Sequence, residues 1–428
     1  MSSTTLLDPD KISWQQLLTV DPNSDQFLQL AKSLLSSDKH RKFNVSRLSR
    51  KEAAQLADVI DTGILQKDTL PKNVKSAAFG ILRRISGKFR KLPQSYLLED
   101  GLSKEGDIPF STRGFATLWK GQYDGNCVAI KMLRLGPEDD KVKIATRFCK
   151  EVLLWPYLHH PNVLPVRGFS ISTCPLAIVT PWMENGNILE YTRKHPAANR
   201  MSLLVDVANG LRYLHRVGQI HGNIRGANVL ISSDNPPRAC LADFGLFAIM
   251  FDVFSMTKVS VNWTAPEIFT PGERDFKPTF ASDIYALGML IYEVLTGRSP
   301  FFYKRTKAEL AYQVVQENKR PPRPQDAERL GITKPVWDMM VTCWDEKVSA
   351  RHQIESVIKC LAEAAKVWVA DVPAFYLASE TGISQVMGLK GEEAQSFVDE
   401  SYKGVDFGLD RDQLTIWEDI PCPVESIV

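Results

Sequence analysis

The sequence predicts an α+β fold in two lobes, a small strand-rich one followed by a larger helical one, behind a helical N-terminal region. Three observations carry this prediction. Alternating apolar runs are confined to a stretch that begins near Ile108. Long segments with apolar residues at helical spacing dominate from Ile188 onward. Helical spacing and a capping-box signature also mark the first ninety or so residues. The corresponding division is a helical region over 1–92, a linker over 93–107, the small lobe over 108–183, the large lobe over 184–365 and a tail over 366–428.

The N-terminal helices are read in order. Asp25 to Ser36 places Phe27, Leu28, Leu30, Ala31, Leu34 and Leu35 on one face. Ser49-Arg-Lys-Glu52 has the form of a capping box, in which a serine hydroxyl and a glutamate three residues on satisfy each other's backbone N–H groups, opening a helix through Ile60. Pro71 suits a first helical turn, and Val74, Ala77, Ala78, Ile81 and Ile85 continue the period to Phe89. The basic cluster Arg83, Arg84, Lys88, Arg90 and Lys91 is read as a solvated helix face, with contact to an acidic partner as the alternative.

In the small lobe, Phe115 to Gly121 and Cys127 to Leu133 alternate as strands about a Tyr-Asp-Gly-Asn turn. A helix containing Arg147 to Leu154 follows, then strands at Val163-Leu164 and Leu176 to Thr180, and a polar hinge over 181–186. Helices are predicted over 188–195, 200–215, 281–295, 307–316, 335–344 and 354–365. In the tail, Leu389 to Asp399 faintly echoes Leu48 to Asp58, which raises the possibility of a partial second copy of the N-terminal helical region; chance between amphipathic helices is the simpler reading.

Composition limits the function classes. The chain has 428 residues, 44% apolar, with 52 basic and 50 acidic side chains, so nothing in the charge balance calls for nucleic acid. Seven scattered cysteines, none in a CxxC pair, argue against a disulfide framework or a zinc site and suit a reducing compartment. No basic-then-apolar leader opens the chain and no uncharged apolar run reaches 18 residues; the nearest, Ile284 to Leu295, is interrupted by Glu293 and reads as a buried core helix. A soluble cytoplasmic protein without a membrane span is the expectation.

The chemistry concentrates between Ile220 and Gly245. His221-Gly-Asn-Ile-Arg-Gly-Ala-Asn228 forms a short polar loop, and Asp243-Phe-Gly245 closes the second of two apolar runs. These residues resemble the catalytic loop and metal-binding motif of the protein kinase superfamily. Val128-Ala-Ile-Lys131, Ala265-Pro-Glu267, Ser282-Asp-Ile-Tyr-Ala-Leu-Gly288 and Arg351 extend the resemblance over about residues 108–365. It implies a bilobal kinase-like fold that binds ATP and Mg²⁺. Within the superfamily, Pro-Trp-Met-Glu-Asn-Gly-Asn, Arg-Ala-Cys-Leu-Ala-Asp-Phe-Gly and Arg-Pro-Pro-Arg-Pro are similar to the tyrosine-kinase-like proteins of mushroom-forming fungi.

By that resemblance Lys131 would hold the ATP phosphates with Glu151 as its ion partner. Leu118, Ala129 and Leu230 would sandwich adenine beside Thr180 and Met183, and Asn228 and Asp243 would bind the metal through oxygen. His221, Glu267, Asp283 and Arg351 would be structural, with Glu267 and Arg351 as an ion pair and Asp283 tying down the loop. Arg225 would stand near the transferred phosphate.

Three departures qualify the resemblance. Asn223 occupies the place of the catalytic Asp, and an amide has no carboxylate with which to act as a base. Gly222 replaces an arginine that would clamp a phosphorylated loop, and residues 243–267 hold Ser255, Thr257, Ser260 and Thr264 but no tyrosine, which disfavours switching by phosphorylation. The glycines that would let backbone approach the phosphates read Ser111, Arg113 and Ala116, with Gly114 one place out of step. The resulting expectation is an ATP-binding pseudokinase that works through a protein partner. A slow Ser/Thr or dual-specificity kinase acting on protein hydroxyls, and a non-binding remnant of a tandem kinase, are the alternatives.

Overall fold

The computed structural model describes residues 14–36, 43–98, 100–113, 116–136, 139–171, 176–246, 249, 261–269, 278–302 and 306–368. The echo at 389–399, Gly114, and Ser255, Thr257 and Ser260 lie outside the described residues. The described chain forms two compact units: one runs to Tyr157 and takes in Val166–Thr180, the other comprises Leu158–Pro165 and the chain from Pro181.

In the first unit the N-terminal helices are α1 (Asp25–Ser36), α2 (Arg50–Ile60) and α3 (Lys72–Phe89). The capping box forms: Glu52 N–H donates to Ser49 Oγ and Ser49 N–H to Glu52 Oε2. Pro71 sits at the N-cap of α3, one residue before the first helical turn. The apolar stripe of α3, including Ile81, Leu82 and Ile85, is fully buried. Each such side chain contributes about 1.5–3 kcal/mol. A wide turn over Asp61–Leu65 prolongs α2 and buries the Asp61 carboxylate.

The sheet is six-stranded, in the order β1 (Ser103–Lys104), β3 (Ala116–Tyr123), β4 (Asn126–Leu133), β6 (Ala177–Pro181), β5 (Gly168–Ser170), with β2 (Ser111–Arg113) also on β3. The stretch read as a linker over 93–107 contains paired backbone on both sides of residue 100. Leu98 N–H donates to Phe169 O, Ser103 and Lys104 pair with β3, and Leu98 joins the core of Val128, Ile130, Ala177 and Val179. Helix α4 (Lys141–Glu151) packs along α3. Phe169 gathers Tyr96, Phe148 and Trp155 around it within 6.4 Å between ring centroids, joining the segment after α3, α4, and the turn after α4.

The second unit contains α5 (Ile188–Lys194), α6 (Arg200–Arg216), α7 (Phe280–Thr296), α8 (Lys307–Gln316), α9 (Lys334–Cys343) and α10 (Ile354–Lys366), with the hairpin β7 (Val229–Ile231) and β8 (Ala239–Leu241). Helix α7 is buried nearly all round and packs on α6 and α9. Because every side of α7 faces protein, its charged residues must find partners there. None of the described helices is long and apolar enough to cross a membrane.

Candidate active site

In the first unit, strand parity sorts the predicted nucleotide residues. Val128 and Ile130 of β4 point into the core with Ala177 and Val179 of β6. Side chains alternate along a strand, so Ala129, Lys131 and Thr180 lie on the opposite face. Leu118 is the cross-strand partner of Lys131, and directly opposed residues share a face. Leu118, Ala129, Lys131 and Thr180 are thus brought together, all half-buried. Ser111 pairs with Leu118 and Arg113 with Ala116, so the segment expected to cover phosphates begins as a strand.

Glu151 is the exception in this set. The expected partner of its carboxylate was Lys131; the structure gives it Arg83 of α3, 3.1 Å away. The packing of α3 along α4 delivers a guanidinium to the end of α4, which local sequence does not foretell. Arg84, beside it in the basic cluster, donates to the Phe43 carbonyl at 2.9 Å.

In the second unit, the loop from His221 to Asn228 is pinned at both ends by carboxylates of α7. Asp283, 1% exposed, accepts from the N–H of His221 at 2.9 Å, the N–H of Gly222 at 2.8 Å and the His215 ring at 3.0 Å. Gly222 takes a φ of 76°, the left-handed region that favours glycine. A side chain at that position would be strained, which gives a local reason for glycine there. Burial lowers the pKa of His221, so its ring is neutral, and Nδ1 accepts from the Asn223 N–H at 3.2 Å.

Glu293 holds the other end of the loop. One of its oxygens, Oε2, accepts from the Gly226 N–H at 2.8 Å and from Trp263 Nε1–H at 2.9 Å. Complete burial pushes its pKa up to about 7, against the pull of these two hydrogen bonds and the charge of Arg225. In the sequence Glu293 reads only as an interruption in an apolar helix. A lone carboxylate in such a helix was itself the signal, since a buried charge needs donors.

Asn223 is tied down through its backbone only. Its N–H bonds to His221 and its carbonyl accepts from Asn228 Nδ2 at 2.7 Å. Its half-buried carboxamide makes no hydrogen bond among the described residues. The bond from Asn228 Nδ2 turns the nitrogen of that amide inward and leaves its oxygen as the donor atom for a cation. The Ala242 N–H donates to the Asn228 carbonyl at 2.9 Å, and the Gly245 N–H to the His221 carbonyl at 3.1 Å. Asp243 lies between these two anchors, in the left-handed region with φ 63°. That conformation costs a non-glycine residue about 1–3 kcal/mol and is characteristic of functional positions. Carboxylate and amide oxygens are the ligand chemistry that Mg²⁺ takes, so the donor set fits the expected metal.

Met183 and Leu230 pack together against Leu164, Cys240 and Ala242, an apolar floor of the kind an adenine ring requires. A cavity beside Asn223 is lined by Trp263, Thr264, Ala265, Ser282 and Asp283 among others. The Glu267–Arg351 pair is two-pronged: Nη1 and Nη2 of Arg351 donate to the two carboxylate oxygens at 2.6 and 2.8 Å.

Comparison with known proteins agrees with this geometry. The family model for protein tyrosine and serine/threonine kinases matches residues 111–361. Serine/threonine-protein kinase STY46 of Arabidopsis thaliana is 29% identical over 259 residues, covering 59% of this chain and 42% of that protein. Serine/threonine/tyrosine-protein kinase HT1 of the same plant is 26% identical over 261 residues, 59% of this chain and 64% of its own length. Human tyrosine-protein kinase TXK is 30% identical over 251 residues, 56% of this chain and 44% of that protein. The chain thus spans less than two thirds of the length of each of these three relatives.

Proposed function

We propose, for a chain that belongs to the protein tyrosine and serine/threonine kinase family, that it binds Mg-ATP and acts as a pseudokinase, a cytoplasmic signalling module that works by engaging a protein partner. The observation that carries this reading is the contrast within one loop. The Ala242 N–H bond to the Asn228 carbonyl brings the Asp243 backbone near Asn228, and both residues carry oxygen suited to Mg²⁺, while Asn223 carries an amide where proton transfer would need a carboxylate. Lys131 would hold the ATP phosphates, Leu118, Ala129, Thr180, Met183 and Leu230 would line the base, and Asn228 and Asp243 would take the metal. Mg²⁺ supplies neutralisation of phosphate charge when bound. Arg225 would steady the terminal phosphate by its charge. Asn223 can orient a hydroxyl through its carbonyl oxygen but cannot remove its proton. Loss of a general base lowers a rate by roughly 10²–10⁴-fold.

Thermal unfolding with and without Mg-ATP tests the binding. At 100 times the dissociation constant, nucleotide should stabilise the protein by about 2.7 kcal/mol. Lys131→Met should remove most of that shift while leaving the unliganded protein folded. Absence of any shift for the wild-type protein at millimolar Mg-ATP refutes the reading and favours a non-binding remnant.

A second reading, a slow kinase acting on protein hydroxyls, is supported by the intact tethers of the loop: Asp283 at one end, Glu293 at the other, with Arg225 between them. The cavity beside Asn223 would then receive the substrate residue.

A further inference from the structure

The contact between Arg83 and Glu151 lies where α3 packs along α4. Arg83 lies one turn before Gly87 on α3, and at Gly87 the Lys150 side chain lies against α3, where an added Cβ would fall 2.0 Å from its Cε. A larger residue at position 87 would make the Lys150 side chain shift. The chain just after α4 is tied to the N-terminal region by a separate set of bonds. Tyr96 Oη–H donates to the Leu153 carbonyl at 3.2 Å. Tyr157 Oη–H donates to Asp61, whose buried carboxylate also accepts from Ser95 Oγ at 2.6 Å and Gln66 Nε2 at 2.9 Å. The end of α4 that carries Glu151 is therefore held between α3 and the Asp61 turn.

We propose that Arg83 is a positioning residue for nucleotide binding, competing with Lys131 for the Glu151 carboxylate, so that the N-terminal helices tune how firmly the strand lysine is presented to phosphate. The consequence for nucleotide rests on the ATP-binding reading above; the competition itself does not. Both side chains retain solvent contact, 52% for Arg83 and 22% for Glu151, so the pair is weak enough to exchange. When Arg83 lets go, Glu151 becomes available to orient Lys131 and to pair with its ammonium, which shields the nitrogen from acylation.

The test uses the full chain as wild type, Arg83→Ala, Arg83→Lys, Glu151→Ala and the double variant Arg83→Ala/Glu151→Ala. Arg83 is exposed, so its removal leaves the helix core intact. Two readouts are taken: the dissociation constant for Mg-ATP, and the acylation rate of Lys131 by an N-hydroxysuccinimide ester without nucleotide, followed by peptide mass spectrometry. Arg83→Ala should tighten Mg-ATP about two- to five-fold, equivalent to about 0.4–1 kcal/mol, the range of an exposed ion pair. It should slow acylation of Lys131 by a similar factor. Arg83→Lys should stay near wild type, and in the Glu151→Ala background removing Arg83 should change neither readout. Slower acylation with no nucleotide binding by any variant upholds the competition and refutes the ATP reading. Unchanged or faster acylation of Lys131 in Arg83→Ala overturns the proposal, whatever the nucleotide affinities are.

Discussion

Arg351→Ala should cost the protein about 3 kcal/mol. The Arg351 side chain is 1% exposed and donates four hydrogen bonds: two to Glu267, one to the Ala281 carbonyl at 3.0 Å and one to the Asp345 carbonyl at 3.1 Å. Its guanidinium also lies 5.2 Å from the centre of the Tyr285 ring. Alanine strands the Glu267 carboxylate and leaves the two carbonyls without this donor. Removing one member of a buried pair costs about 3–5 kcal/mol because the other charge is left uncompensated. The Glu267 side chain keeps 27% exposure and recovers part of its hydration, which places the expectation at the low end of that range. Arg351→Lys retains the charge but not the fork, and should fall between wild type and alanine. Urea denaturation of the three proteins gives the comparison. A loss below about 1 kcal/mol for alanine would refute the claim that this pair fastens residues 265–269 to the base of α7.

Two further outcomes follow from buried carboxylates. Asp61→Ala should destabilise by about 2–4 kcal/mol, since Ser95, Gln66 and Tyr157 lose a common charged acceptor in a site without solvent; denaturant midpoints measure this. Glu293→Gln keeps an oxygen for Gly226 and Trp263 but removes the titration. The folded pKa of Glu293 is raised from 4.5 to about 7, so its contribution is fully present below pH 4.5 and is lost as pH rises through 7. Glutamine should therefore gain on wild type by about 3 kcal/mol between those limits, at about 1.4 kcal/mol per pH unit. A pH-independent difference between the two proteins would show that Glu293 does not titrate there.

The parts of the site that were legible in the sequence are those where residue type and local spacing carry the information. The capping box at Ser49 and Glu52, the alternation that puts Ala129 and Lys131 on one face, and the run from His221 to Asn228 are of this kind. Asp283 and the Glu267–Arg351 pair were legible through the family resemblance, although 84 positions separate the two ion partners. What stayed hidden depends on packing between distant segments. The partner of Glu151 is decided by the approach of α3 to α4, which leaves no mark near either residue. Residues 103–104 form a strand too short to show alternation, so composition alone made them resemble a linker. Glu293 was visible but misread, because one carboxylate in an apolar helix signals a buried hydrogen-bonding duty as much as a break in a hydrophobic run.

The central claim, a nucleotide-binding scaffold whose missing element is the base, is tested most directly by phosphoryl transfer at saturating Mg-ATP. The comparison is wild type against Asn223→Asp, with Asp243→Asn as the inactive control. A carboxylate at position 223 would sit in a loop whose backbone is already fixed by His221, Asn228 and Asp283. The expected gain is about 10²–10⁴-fold in transfer to a generic protein substrate or in autophosphorylation, equivalent to about 3–5 kcal/mol of barrier. Misalignment under a covering segment built from Ser111, Arg113 and Ala116 would hold the gain toward the lower figure, and replacing Ser111 and Arg113 by glycine in the same protein should raise it further. Wild-type transfer well above the Asp243→Asn control, with no gain from Asn223→Asp, would contradict the account.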